Sequence, residues 1–146
     1  MINQPEPKPE VVIALIAPIG VDPAPTIRTI TSWMEAADFE VTRHKLSTMI
    51  RDYVPQVDYP EDKVDRIHWL MDRGNELRAH DERTVAMLAM QSVAAAREEN
   101  QDDSTPQRAR VHIVDSLKHE EEVNFLRQVY GPAFYCISLY GDRSQR

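Results

Sequence analysis

Cysteine, glycine and long apolar segments are all scarce in this chain. Its 146 residues include one cysteine and four glycines, and no segment approaches the ~20 consecutive apolar residues of a transmembrane helix. The amino terminus lacks the basic segment followed by an apolar segment that marks a secretory signal peptide. These absences predict a soluble, cytoplasmic protein.

The single thiol, Cys136, excludes an intramolecular disulfide and a zinc site built from several thiolates. It lies in the apolar segment Ala133–Leu139, which predicts a buried core thiol. The net charge of −7 disfavours a general affinity for nucleic acid, because Lys and Arg contacts to phosphate dominate such binding. An acidic protein can still bind a free nucleotide locally.

Length and composition fit one domain with a single core, since 42% of the 146 residues are hydrophobic. Residues 1–10 contain three prolines and three charges without periodicity, and we expect them to form a flexible arm. Residues 11–146 are then predicted to form one α/β domain.

The order of predicted strands and helices indicates a parallel sheet. The segment Val11–Ile16 is continuously apolar and β-branched, as in a strand covered on both faces. The predicted elements are strand 11–16, helix 26–37, strand 39–46, loop 51–62, helix 64–77 interrupted or ended at Gly74 and Asn75, helix 84–98, loop 100–107, strand 110–114, helix 120–130 and strand 134–140. This order predicts a sheet of about four parallel strands flanked by helices, with a helical insertion between strands 2 and 3.

A carboxylate follows the third predicted strand directly. Asp115 comes at its carboxyl end, where ligands bind in open α/β sheets. Ser116 and Lys118 follow at the mouth of the expected crevice, and Lys118 is predicted to contact a phosphate or a base. The alternative is that Asp115 and Ser116 cap the next helix and Lys118 is solvated. The acidic residues Glu120–Glu122 are explained by the helix macrodipole.

Three segments together resemble a known family. The chain resembles the nucleotide-kinase-like amino-terminal domain of the bacterial anti-phage dCTP/dCMP deaminases over nearly its whole length. The segments that carry this resemblance are Ala14–Gly20, Gly74–Arg78 and Val111–Gly131. The resemblance implies a P-loop fold with a degenerate phosphate loop, used to sense or regulate in antiviral nucleotide depletion. It implies a nucleotide, with Mg²⁺, as the ligand and a deaminase or other defence protein as a partner.

The segment that would form the phosphate loop has lost the residues of a working one. A Walker A loop uses glycines to wrap phosphates, a Lys on the β- and γ-phosphates and a Ser or Thr on Mg²⁺. If Gly20 matches a loop glycine, the Lys position falls near Pro23 and the hydroxyl position near Ala24. Asp22 adds negative charge beside the γ-phosphate position. Efficient phosphoryl transfer is not expected, and an ordinary proline-rich turn is the alternative.

The resemblance also suggests roles for residues elsewhere. Asp115 resembles the Walker B carboxylate that positions Mg²⁺, and Arg78 lies in a segment that nucleotide kinases place near the acceptor nucleotide. An isolated Arg in a helix is otherwise a surface residue. Tyr53, Tyr59 and Trp69 are candidates for stacking on a base, or for filling a core or interface.

Zinc-dependent deamination cannot be assigned to this chain. Residues 80–82 and 119–121 each match the His-x-Glu half of the deaminase signature, but the Pro-Cys-x-x-Cys half is absent. The family resemblance implies a fifth parallel strand and a later deaminase domain, whereas the given sequence ends after the fourth predicted strand. We therefore expect either a fragment of a longer protein or a minimal stand-alone version. The incomplete sheet would expose an edge, which predicts a homo-oligomer or a hetero-complex.

Three functions remain open from the sequence. The first is a catalytically degenerate domain that binds a nucleotide or a partner, without catalytic residues or a dedicated metal site. The second is an active nucleotide kinase with Mg²⁺ at Asp115, and the third is a structural module for assembly. The residues predicted to bind the ligand are Gly20, Asp22, Arg78, Asp115, Ser116 and Lys118.

Overall fold

The computed structural model describes residues 7–55, 58–100 and 107–142. The elements are β1 (Glu10–Ile16), α1 (Ala24–Ala36), β2 (Phe39–Lys45), α2 (Leu46–Tyr53), α3 (Lys63–His80), α4 (Thr84–Glu99), β3 (Ala109–Leu117), α5 (Glu120–Tyr130), a short 3₁₀ turn (Gly131–Ala133) and β4 (Phe134–Ser138). The four strands form one sheet in the order β2-β3-β1-β4, and every neighbouring pair is parallel. This confirms the α/β class, the parallel sheet and the helical insertion between strands 2 and 3.

The two central strands, β1 and β3, are buried over most of their length because both faces of the sheet are covered, and β1 is apolar at every position after Glu10. Val11 pairs with Val111 and Ile13 with Ile113. On one face, Ile27 of α1 packs against odd-numbered residues of these strands. On the other face, α2, α4 and α5 contribute to a larger core, whose fully buried members include Ala14, Val85, Ala89, Val114, Leu117 and Leu126.

A buried polar network lies on the α4 side of the sheet. The His112 ring contacts Glu10 through Nε2 at 3.3 Å and the His44 ring, Nδ1 to Nε2, at 3.0 Å. The His44 Nδ1 lies 2.7 Å from the hydroxyl oxygen of Ser92. Glu10 also accepts from the Arg97 guanidinium, at 2.8 Å from Nε. Both rings are almost fully buried, at 3% and 1% exposed. No sequence pattern pointed to this network.

The helical insertion differs from the predicted one in two places. Residues 46–53 form α2, a helix that was not predicted and that includes part of the expected loop 51–62. The helix α3 continues without a break through Gly74 and Asn75, so the predicted interruption is wrong. Gly74 is buried, and a Cβ there would lie 3.0 Å from Nη1 of Arg78. The glycine makes room for a side chain and does not end the helix.

The third strand is longer than predicted. β3 extends to Leu117 and therefore contains Asp115 and Ser116. The helix α5 begins at Glu120, and its N-cap residue is His119. The alternative that Asp115 and Ser116 cap this helix is wrong, because three residues separate Ser116 from its first turn.

The remaining expectations concern the arm, a loop and the thiol. Glu10, assigned to the arm, is the first residue of β1, whereas residues 1–6 and 101–106 lie outside the described ranges. Cys136 is half-buried against the larger core, and this burial raises the pKa of its thiol. No helix within the described ranges is long and apolar enough to cross a membrane.

Candidate functional site

A crevice of about 530 Å³ opens at the carboxyl ends of the strands. Its walls come from the β1–α1 connection, the start of α2, one side of α3 and the segment that ends β3. The lining residues are Pro18, Ile19, Gly20, Val21, Lys45, Leu46, Ser47, Ile50, Ile67, Leu70, Met71, Asn75, Arg78, Ser116, Lys118 and His119. An apolar wall therefore faces a few cationic and hydroxyl groups, as in many small-molecule sites.

The β1–α1 connection folds onto itself. The backbone N–H of Val21 donates to the carbonyl oxygen of Pro18 at 3.1 Å, and Gly20 has a positive φ of 87° that suits glycine. The Asp22 carboxylate accepts from the backbone N–H of Ala24 at 3.0 Å, at the amino terminus of α1. A carboxylate of the chain thus stands where a helix amino terminus would otherwise meet a phosphate.

The carboxylate of Asp115 is also engaged within the chain. It is 4% exposed and accepts from the Arg43 guanidinium, with Nε at 3.1 Å and a shorter contact to Nη2. The Ser116 hydroxyl donates to its other oxygen. Within the described ranges, no cluster of three or more His, Cys, Asp and Glu side chains is arranged to hold a metal ion.

A buried ion pair joins α3 to the first turn of α5. The Arg78 guanidinium donates from Nε to Glu122 Oε1 at 2.5 Å, and Glu122 is 0% exposed. The second carboxylate oxygen of Glu122 accepts from the backbone N–H groups of Lys118 and His119, at 2.9 and 3.2 Å. The macrodipole interpretation of Glu122 was incomplete, because this residue holds Arg78 at the crevice wall.

Lys118 presents a cation to the crevice. Its ammonium donates to the carbonyl oxygen of Ala17 at 2.8 Å, which fixes the side chain across the end of β1. Burial lowers the pKa of Lys118, while the nearby charge of Asp115 opposes that shift. A lysine ammonium has three donors, and the Ala17 contact uses one of them.

The structure brings four of the six predicted site residues together. Gly20, Arg78, Ser116 and Lys118 line the crevice, whereas Asp22 and Asp115 are not among its lining residues. The proposed stacking residues Tyr59 and Trp69 do not line it either, and their rings meet edge to face at 5.1 Å. Tyr53 is 59% exposed.

Sequence reasoning missed Lys45, Asn75 and the apolar wall. Lys45 is the last residue of β2, so the rule that ligands meet the carboxyl ends of parallel strands would have found it. The wall from Ile50, Ile67, Leu70 and Met71 needs the relative placement of α2 and α3, for which the sequence holds no local signal.

Comparison with known proteins adds no assignment. A scan against models of protein families finds no match to the chain, and a search of curated proteins finds no significant relative.

Proposed function

We propose that this domain binds a nucleotide in the crevice without transferring a phosphoryl group, and that binding regulates nucleotide depletion in defence against phage. The observation that supports the proposal is an apolar-walled crevice lined by Lys118, next to a β1–α1 connection in which Asp22 accepts from the backbone at the start of α1. The defence role follows from the family resemblance.

The crevice suits a planar base with an anionic tail. Its volume of about 530 Å³ lies within the ~300–1,000 Å³ typical of small-molecule sites. Leu70 and Met71 offer an apolar surface to a base, and Lys118 offers donors to a base carbonyl or a phosphate.

The carboxylates of Asp22 and Asp115 are already hydrogen-bonded within the chain, which argues against catalysis. A γ-phosphate at the start of α1 would meet the negative charge of Asp22. Asp115 already accepts from Arg43 and Ser116, so magnesium binding there would have to displace those contacts. Both points weigh against an active nucleotide kinase.

Replacing Lys118 by glutamine should weaken nucleotide binding about 10-fold or more, because a hydrogen bond to a charged group contributes roughly 1.5–3 kcal/mol. Calorimetric titration with deoxynucleoside mono- and triphosphates measures this loss. Lys8→Gln is the matched control, since Lys8 lies beside β1's amino end, away from the crevice. The proposal would be rejected if Lys118→Gln and Lys8→Gln bound nucleotide with equal affinity. It would also be rejected if the chain turned over ATP with any nucleoside monophosphate and Asp115→Ala abolished that turnover.

A role in assembly is favoured by a separate observation at the sheet edge. β4 is an edge strand without a charged residue, and Tyr135 and Ile137 are 56% and 36% exposed. The opposite edge strand, β2, carries four ionisable side chains, which discourage edge pairing. We propose that β4 pairs with a second copy of the domain, with a deaminase as the alternative partner.

Light scattering is expected to give a concentration-dependent mass above the 16.8 kDa of one chain. Ile137→Lys should return the mass to that of a monomer, because an edge lysine opposes strand pairing. Val129→Lys, at an exposed apolar position of α5, is the matched control and should still associate. A mass of one chain at every concentration would contradict self-association.

A further inference from the structure

A second pocket of about 200 Å³ lies between α2 and α3, beside the crevice. Its lining residues are Lys45, Ser47, Thr48, Arg51, Tyr59, Lys63, Arg66, Ile67 and Leu70. Four of these, Lys45, Ser47, Ile67 and Leu70, line the crevice as well. A ligand seated in the crevice can therefore extend into this α2–α3 pocket without crossing a helix.

The α2–α3 pocket is cationic in a protein of net charge −7. Four basic side chains line it, and no carboxylate within the described ranges does. Of the acids nearby in the sequence, Asp52 pairs with Arg51 at 2.9 Å, and Asp62 accepts from two backbone N–H groups at the start of α3 and also interacts electrostatically with Arg66. In the part of the chain that the structure describes, Lys45, Lys63 and Arg66 have no ion-pair partner.

Two of these cations lie at the start of a helix. Lys63 and Arg66 are the first and fourth residues of α3, at the positive end of the helix dipole, where Asp62 and Asp65 supply part of the negative charge that this end favours. A bound anion would add to that negative charge. The hydroxyl groups of Ser47 and Thr48 add neutral donors to the same pocket.

The Lys118 end of the crevice and the α2–α3 pocket differ in the positive charge that no ion pair neutralises. At the Lys118 end, Arg78 is neutralised by Glu122, which leaves the single charge of the Lys118 ammonium. In the α2–α3 pocket, Arg51 is balanced by Asp52, which leaves the charges of the other three cations that line it. A chain of phosphates is more strongly attracted to the end with three charges than to the end with one.

We propose that the α2–α3 pocket binds the polyphosphate tail of a nucleoside triphosphate whose base lies in the crevice toward Lys118. This inference rests on the proposed nucleotide-binding function and adds the ligand class and its orientation. The pocket then favours triphosphates over monophosphates, because the tail of a monophosphate carries too few charges to engage all three cations.

The test is calorimetric titration, with a chelator present, of each deoxynucleoside, its monophosphate and its triphosphate. The unmodified chain should bind a triphosphate about 10-fold or more tightly than the monophosphate. The variant Lys63→Gln/Arg66→Gln should lose this difference and keep its monophosphate affinity. Lys118→Gln should weaken both ligands equally. Arg28→Gln, at an exposed arginine near the start of α1, is the matched control and should retain the triphosphate preference.

A triphosphate preference that survives Lys63→Gln/Arg66→Gln would overturn the inference. Inorganic tripolyphosphate separates this failure from that of the proposed function. One outcome is that tripolyphosphate binds the unmodified chain, does not bind the double variant, and no nucleotide binds either. The pocket is then a polyphosphate site, and the proposal of nucleotide binding is wrong. If neither probe binds, both are wrong. Circular dichroism checks that the double variant is folded.

Discussion

Replacing Arg78 by methionine is expected to lower the midpoint of thermal unfolding by about 10 °C, because it leaves the buried carboxylate of Glu122 without its ion-pair partner. Glu122 is 0% exposed, and Arg78 is its ion-pair partner. Removing one partner of a buried ion pair costs about 3–5 kcal/mol, and each kcal/mol shifts the midpoint by about 2–4 °C for a chain near this size. Scanning calorimetry at neutral pH measures the shift.

A double variant separates the charge from the packing. In Arg78→Met/Glu122→Gln no unpaired charge remains, and the carbonyl of the new amide side chain can still accept from the two backbone N–H groups. This variant should recover part of the loss. Arg73→Met, in the same helix, removes a partly exposed pair with Glu76 and should cost about 1 kcal/mol or less. A loss after Arg78→Met no larger than that control would contradict the account.

Stability is expected to fall by about 2 kcal/mol between pH 7.5 and pH 5, because the buried His44 resists protonation. Burial, and then the neighbouring His112, lower the pKa of His44 from 6.5 to about 4. The unfolded chain therefore binds a proton below pH 6.5 that the folded chain does not. The stabilisation is complete above pH 6.5 and is lost as pH falls toward 4.

The hydrogen bonds explain why the network prefers neutral rings. If Nε2 of His112 donates to Glu10, its Nδ1 accepts from Nε2 of His44, and Nδ1 of His44 accepts from the Ser92 hydroxyl. Every ring nitrogen is then satisfied without an added proton. Burial lowers the pKa of His112 as well, and the positive charge of Arg97 adds to this shift while Glu10 opposes it.

The measurement is thermal or urea unfolding at several pH values from 7.5 to 5. His44→Gln keeps an amide that can donate to His112 and accept from Ser92, but it cannot titrate. Its stability should change with pH by about 2 kcal/mol less than that of the unmodified chain. His68→Gln, at an exposed histidine of α3, is the matched control. An unchanged pH dependence in His44→Gln would remove His44 as the cause.

The sequence predicted those parts of the fold that depend on local pattern. The continuous apolar segment Val11–Ile16 and the amphipathic segment Glu120–Tyr130 both carry strong local signals, and both elements are confirmed. The helix α2 was missed because only Leu46 and Ile50, one helical turn apart, mark its buried face. Gly74 misled the prediction because its role is to accommodate Arg78, a contact that a pattern within one helix does not reveal.

The site was predictable where strand ends alone define it. Ser116 and Lys118 follow from the rule for carboxyl ends of parallel strands, and both line the crevice. The sequence did not show that Asp115 is held by Arg43, a residue 72 positions earlier in the chain. Nor did it show that Asp22 turns back onto α1, or that the first turn of α3 faces the end of β2 across a pocket.

The order β2-β3-β1-β4 has a consequence for synthesis on the ribosome. Val12 in the central strand pairs with His112, 100 residues later, and even the nearest pairing, Phe39 with Ala109, spans 70 residues. At translation rates of about 5–20 residues per second, β1 waits roughly 5–20 s for its partner. Its apolar side chains have no sheet to join during that interval, and such exposed apolar surface favours aggregation of the nascent chain until β3 has been made.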